Sequence, residues 1–307
     1  MKKLITALCA TAACISAPSY ALVINTSIGA DASTAATTLT NTLLGGVSGI
    51  HVTSSSYVGN LADSQSATYT GLNLVSNTGG PTLSVGDGIF LTSGTANIPF
   101  SNTSSNFSTV TGSGGDAQVS ALLVAAGGQS TINDVNSLTI NFTADAGINA
   151  LTTKFLYGSE EFPDQGVTDF FMFILDGVNY AKFPDGSLVS FVNGVNAANF
   201  ISNGNGSPGP YAIEYDGLSN GLGVTGLLDT SLTTHTLKVV TGDTLDSIFD
   251  SGVFIASLAG TTTTGPGGIC GGVDQPACPG NGVPEPGSLA LAALALVGLA
   301  SLRRKSA

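Results

Sequence analysis

Tryptophan is absent from the 307 residues, and 8 Lys and Arg face 20 Asp and Glu. The first absence removes a side chain that often stacks on sugar rings, which argues against a polysaccharide hydrolase. The second argues against nucleic-acid partners, because an acidic surface repels phosphate backbones. The shortage of basic groups is sharper than the totals suggest. Lys2, Lys3, Arg303, Arg304 and Lys305 lie at the two ends, leaving Lys154, Lys182 and Lys238 among all 20 carboxylates, a formal charge of −17 for the stretch from Asp31 to Glu285. That acidity has two readings: solubility alone, or a structural divalent cation. No fixed-period repeat is visible, which argues against a solenoid or propeller. The two histidines, His51 and His235, both fall in strand-like runs and read as packing or surface residues.

What the chain has in abundance is Gly, Ser, Thr, Asn and Ala, the composition of an extracellular all-β protein with many turns. Its densest apolar stretch is Lys154 to Gly177, KFLYGSEEFPDQGVTDFFMFILDG. Phe155–Tyr157 and Phe170–Leu175 read as strands, and the second is apolar at every position, as in a strand buried on both faces. Between them lie Glu160, Glu161, Asp164 and Asp169. Further strands are predicted at 49–58, 67–75, 88–92, 137–143, 151–157, 188–192, 198–202, 212–215, 233–240 and 253–258, and short helices at 31–44 and 116–126. Many short strands separated by Gly, Asn and Asp turns predict an all-β, β-sandwich or jelly-roll-like single domain with one or two short helices.

The ends are addresses rather than fold. Residues 1–21 have a basic start, an apolar middle and a small-x-small end, a secretory signal peptide cut after Ala21; an acylated Cys14 is the alternative. Residues 22–260, about 240 in all, can bury one large core. Residues 261–282 are a Gly/Pro/Thr-rich linker holding Cys270 and Cys278, expected to form one small disulfide after export. Residues 283–307 hold Val283-Pro284-Glu285-Pro286, an apolar run over 289–302, and Arg303-Arg304-Lys305. That run is short for a permanent span of ~20 residues, and the basic end keeps the terminus cytoplasmic. It reads as a transient anchor, with an ordinary single-span anchor as the alternative.

VPEPGSLALAALALVGLASLRRK resembles a PEP-CTERM sorting signal of exopolysaccharide-producing Gram-negative bacteria. The resemblance implies processing by an exosortase, a membrane cysteine peptidase or transpeptidase that cuts near the Pro-Glu-Pro motif. The body is similar to the choice-of-anchor L domain. The likeness rests on FLYGSEEFP…DFFMFILDG and Val189–Asn196, with Gly88–Gly94, Gly114–Leu122, Tyr215–Leu218 and Asp246–Phe254 in support. It implies a location and a β-rich fold, not a reaction.

The candidate site is a Ca2+ site at Glu160, Glu161, Asp164 and Asp169, joined by Asp246 and Asp250, since Ca2+ takes six to eight oxygens. Adjacent Glu160 and Glu161 would face opposite ways in a strand, so they converge only if 158–163 is a loop. The alternative is a solvated acidic turn. Gly217-Leu-Ser219-Asn-Gly221 fits a nucleophile elbow, and Gly204-x-Gly206-x-x-Gly209 and Gly221-x-Gly223-x-x-Gly226 fit a dinucleotide fingerprint. With 41 glycines such matches are expected by chance. The expectation is a non-enzymatic protein, exported through the Sec machinery. It is held at the inner membrane by its C-terminal segment, processed, and released to the cell surface or matrix. There it would act in adhesion, flocculation or biofilm through exopolysaccharide or neighbouring cell-surface molecules, without nucleic acid. The alternatives are a calcium-dependent carbohydrate-binding module and a secreted polysaccharide hydrolase.

Overall fold

The structure, a computed structural model, describes residues 21–46, 49–166, 169–183 and 185–270. The signal peptide before Ala21, Cys278, the sorting motif and the basic end lie outside the described residues.

After β1 (Val23–Asn25) comes α1 (Ala32–Leu44). Its N-cap Asp31 accepts from Thr34 N at 2.8 Å, and Gly45 closes it at φ 59°; the capping carboxylate satisfies one of the orphan N–H groups at the helix start. Then follow β2 (Ile50–Val58), β3 (Ser66–Thr70), β4 (Asn73–Leu74), β5 (Leu83–Ser84) and β6 (Gly88–Thr92). The run predicted over 67–75 breaks in two because Gly71 turns the chain at φ 72°. The second helix, α2 (Ala117–Ala125), is capped by Asp116 and precedes β7 (Ile132–Ala144), β8 (Ala150–Ser159), β9 (Phe170–Leu175) and β10 (Val178–Asn179). The last strands are β11 (Phe200–Ser202), β12 (Gly217–Ser219), β13 (Leu222–Leu227), β14 (His235–Thr244), β15 (Ser251–Thr261) and β16 (Gly268–Cys270).

The strands form a β-sandwich. One sheet runs β1-β3-β6-β15-β8, and β8 then pairs β12 at one end and β13 at the other; β11 extends β12, and β16 extends β13. The second sheet runs β10-β9-β14-β7-β2, and β4 and β5 make a small ribbon. Every ladder is antiparallel among the described residues.

Period-two alternation explains the core. On β9, Phe171, Phe173 and Leu175 face the inter-sheet core, while Phe170, Met172 and Ile174 pack under Val119 and Leu123 of α2. A strand covered on both faces has no position for a polar side chain, hence the unbroken apolar run. On β8, Phe155 and Tyr157 point inward, while Leu156 joins Phe90, Phe254 and Tyr215 on the outer face. Phe90 and Phe254 stack at 4.1 Å.

Several expectations are corrected. Within 188–192, Leu188 and Val189 make isolated bridges rather than a strand, and 212–214 are bends; the nearby strand is β12. Residues 221–226, a match to the dinucleotide fingerprint, are mostly β13, where a side chain at Gly226 would strike Leu175 and Phe173 at 2.9 Å. Gly268–Cys270, read as linker, adds an edge strand to β13 with Ile269 and Cys270 buried. Backbone pairing, which needs no apolar periodicity, explains why composition missed it.

Candidate cation-binding site

The inward rows of four strands run past the apolar core into carboxylates at one end of the sandwich. On β14 the row Leu237, Val239, Thr241 ends at Asp243. On β9 the row of Phe171 begins one pair earlier, at Asp169. The ladder pairs Gly242 with Phe170, so Asp243 and Asp169 stand opposite at the next position. Like charges directly across a ladder repel. From the other sheet, the row Phe155, Tyr157, Ser159 continues to Glu161 beyond the end of β8. Asp250 precedes β15, where Ser251 pairs Ser159. Asp134 arrives by a bulge: Thr241 pairs Asn136 but Asp243 pairs Asn133, and Asp134 sits at φ 49°. Bulges re-aim side chains, and Asp tolerates this left-handed backbone better than most residues.

These five groups are almost fully enclosed: Asp169 and Asp243 are 0% exposed, and Glu161, Asp250 and Asp134 are 1%. Hydrogen bonding accounts for little of their capacity. Asp169 Oδ2 accepts from Ser251 Oγ at 2.8 Å, a link between the sheets, and Ser251 Oγ also bonds Ser159 Oγ at 2.8 Å. Asp134 Oδ1 accepts from Gly112 N at 2.6 Å and Thr111 Oγ1 at 3.1 Å. Asp169 Oδ1, Asp134 Oδ2 and both oxygens of Glu161 have no hydrogen-bond partner, and those of Asp243 and Asp250 have none of good geometry, although the Ser93 hydroxyl near Asp243 and the Thr109 N–H near Asp250 ease their ionisation slightly. Basic side chains do not help either. The ion pairs among the described residues are His51–Asp145, His235–Asp176 and Lys238–Asp116, all elsewhere.

Burial dominates the titration. It pushes Glu161 up to about 8, with Asp246 and Asp243 adding to the effect. It pushes Asp250 up to about 7, reinforced by Asp134. Asp169 and Asp243 are driven well above the ordinary carboxylate range by burial, then by Glu161 on Asp169 and by Asp169 on Asp243. An isolated buried carboxylate costs several kcal/mol to ionise, and here several share one region.

The sequence-predicted set therefore divides. Glu160 and Glu161 do not converge: Glu160 lies at the outward parity, where Asp216 and Glu214 raise it after burial does, to about 9. Its Oε2 accepts from Phe107 N at 3.3 Å, and Asp216 accepts from Asn102 Nδ2 and Gly206 N. Asp164 is exposed and Asp246 half-buried. Asp243 and Asp134 were missed, although the alternation through Leu237 and Val239 already put Asp243 on the core face. As positioned, no three Asp, Glu, His or Cys side chains among the described residues converge tightly enough to hold an ion.

Other sequence motifs are structural. Ser219 is buried on β12, where its Oγ accepts from Tyr157 N at 2.9 Å and donates to Asn220 O at 2.9 Å. His235 is held by Asp176 at 2.7 Å, so Ser219 and His235 both already have partners and form no catalytic pair. Among the described residues no helix is long and apolar enough to cross a membrane.

The body is an all-β sandwich with a cluster of buried carboxylates at one end. The Choice-of-anchor L domain profile matches residues 26–259, more than half of the chain, and the chain belongs to that family. The PEP-CTERM protein-sorting motif matches residues 282–305, which makes this an exported, exosortase-processed protein. Neither the curated proteins nor the solved structures offered a match.

Proposed function

We propose that this protein is a non-enzymatic structural or adhesive component of the bacterial surface or matrix. It would be cleaved after Ala21, held briefly at the inner membrane of a Gram-negative cell, and released by an exosortase to associate with exopolysaccharide or neighbouring cells. The observation that carries the reading is the sorting motif at 282–305 joined to a sandwich whose polar motifs are absorbed in structure. A disulfide between Cys270 and Cys278 would then tie the edge strand β16 to the Gly/Pro-rich linker.

A calcium-dependent carbohydrate-binding module is the second reading, favoured by the unpartnered carboxylate oxygens. Their burial favours a structural ion over one shared with a sugar, so the adhesive reading leads. The test compares cell aggregation with and without the gene, and retention of the native polysaccharide by the purified protein with and without calcium. Reduced aggregation and calcium-independent retention are expected. Unchanged aggregation with no retention removes the adhesive role, and reducing ends released from the polysaccharide would restore the hydrolase.

A further inference from the structure

We propose that Glu161, Asp169, Asp243 and Asp250, with Asp134 from the β7 bulge, bind a divalent cation of the Ca2+ type that clamps the two sheets together at this end of the sandwich. Glu161 and Asp250 extend from strands of one sheet, Asp169, Asp243 and Asp134 from the other. Side-chain hydrogen bonds cross between the sheets here, from Ser251 Oγ to Asp169 and from Asn136 Nδ2 to Thr92 O, but they leave most of the carboxylate oxygens without a partner. Without a counter-charge the arrangement is repulsive, and no Lys, Arg or His of the described residues supplies one.

The donor set selects the ion. It is all carboxylate oxygen, with eight unpartnered oxygens on five nearly inaccessible side chains. Zn2+ prefers Cys and His. Mg2+ prefers a strict octahedron that retains water, whereas Ca2+ accepts six to eight oxygens at about 2.3–2.6 Å in irregular geometry. The side chains do not yet converge, but oxygens without well-formed hydrogen bonds lose little when a cation draws them inward. Glu161, with the longest stem, has the most freedom to swing. Gly94 fits the same purpose, since a side chain there would collide with the Asp250 carboxylate. The clamp stands apart from the adhesive reading, because a protein without adhesive activity can still bind the ion.

The test is thermal unfolding of the full chain, purified in mild detergent and stripped with EGTA, against added CaCl2, with MgCl2 as a parallel arm. At a hundredfold excess over Kd, linkage raises Tm by about 5–10 °C for a domain of this size. Asp243→Asn separates the two states. In EGTA it removes a carboxyl that must otherwise be either repelled or kept protonated and so does not lower Tm; in calcium it loses a ligand and most of the Ca2+-dependent rise. Asp63→Asn, at a partly exposed carboxylate bonded to Asn60, keeps the full rise. Three outcomes overturn the clamp: no calcium-dependent shift in the wild type, an equal shift in wild type and Asp243→Asn, or an equal response to Mg2+ and Ca2+. A stabilised Asp243→Asn with no calcium response in the wild type would mean that protonation, not a metal, relieves the cluster.

Discussion

Gly94→Ala probes the carboxylate end most directly. A Cβ at Gly94 would lie 1.6 Å from Asp250 Oδ2, 2.2 Å from its Cγ and 2.8 Å from Oδ1. The backbone there is outside the left-handed region, so the penalty is steric rather than conformational. Asp250 cannot swing into solvent cheaply, being 1% exposed. Overpacking of this kind costs about 1–3 kcal/mol, or a Tm lower by about 2–12 °C. Urea unfolding of the full chain followed by circular dichroism gives the free energy, provided the slope m is unchanged. The cause is isolated by a double-mutant cycle. Asp250→Ala removes the atoms in conflict, so Gly94→Ala in that background should cost about 1 kcal/mol less than alone, or better. Strictly additive costs would refute the reasoning, for they would mean that the added methyl group is resisted by something other than the Asp250 carboxylate.

Other outcomes follow from the same structure. Phe171→Ala, in the inter-sheet core, should lose about 3–5 kcal/mol by denaturant titration. Ser219→Ala leaves the buried Tyr157 N–H without its acceptor and should lose about 1–3 kcal/mol, while a stability equal to wild type would argue against that structural role. Asp116→Ala removes a helix cap worth about 0.5–2 kcal/mol. Burial pushes the Asp116 carboxyl up, but the Lys238 ammonium and the backbone N–H groups of Val119 and Gln118 outweigh it and hold the group below its ordinary value. A depressed carboxyl contributes stability above its unfolded pKa and loses it as pH falls through the folded one. The gap between wild type and Asp116→Ala should therefore be full at pH 6 and shrink below about pH 4. Mass spectrometry of the mature C-terminus should find the apolar run and Arg303-Arg304-Lys305 removed near Pro284–Pro286; an intact Ala307 on the surface protein would contradict exosortase processing.

Much of the fold was legible in the chain. The apolar run at Phe170–Leu175 announced a strand covered on both faces, the first helix announced itself through Asp31 and Gly45-Gly46 at its ends, and the second through apolar residues at helical spacing over 116–126. Turn glycines marked most strand ends, and the missed elements, such as β1, β13 and β16, are short or glycine-rich. These pair through backbone groups and leave little trace in side-chain pattern.

The candidate site was legible only in part. Composition and order determined the address, the sheet-built body and the surplus of acid. Alternation even determined which face Asp243 occupies, because a strand's period of two is a local property. What tertiary structure alone decided is the company each carboxylate keeps. Glu160 and Glu161 are neighbours in the chain yet part to opposite faces of one sheet, while Asp169 and Asp243, seventy-four positions apart, stand opposite each other. The register of a ladder between distant strands sets that pairing, and register is fixed by the fit of whole apolar rows across the core rather than by any residue near the acids.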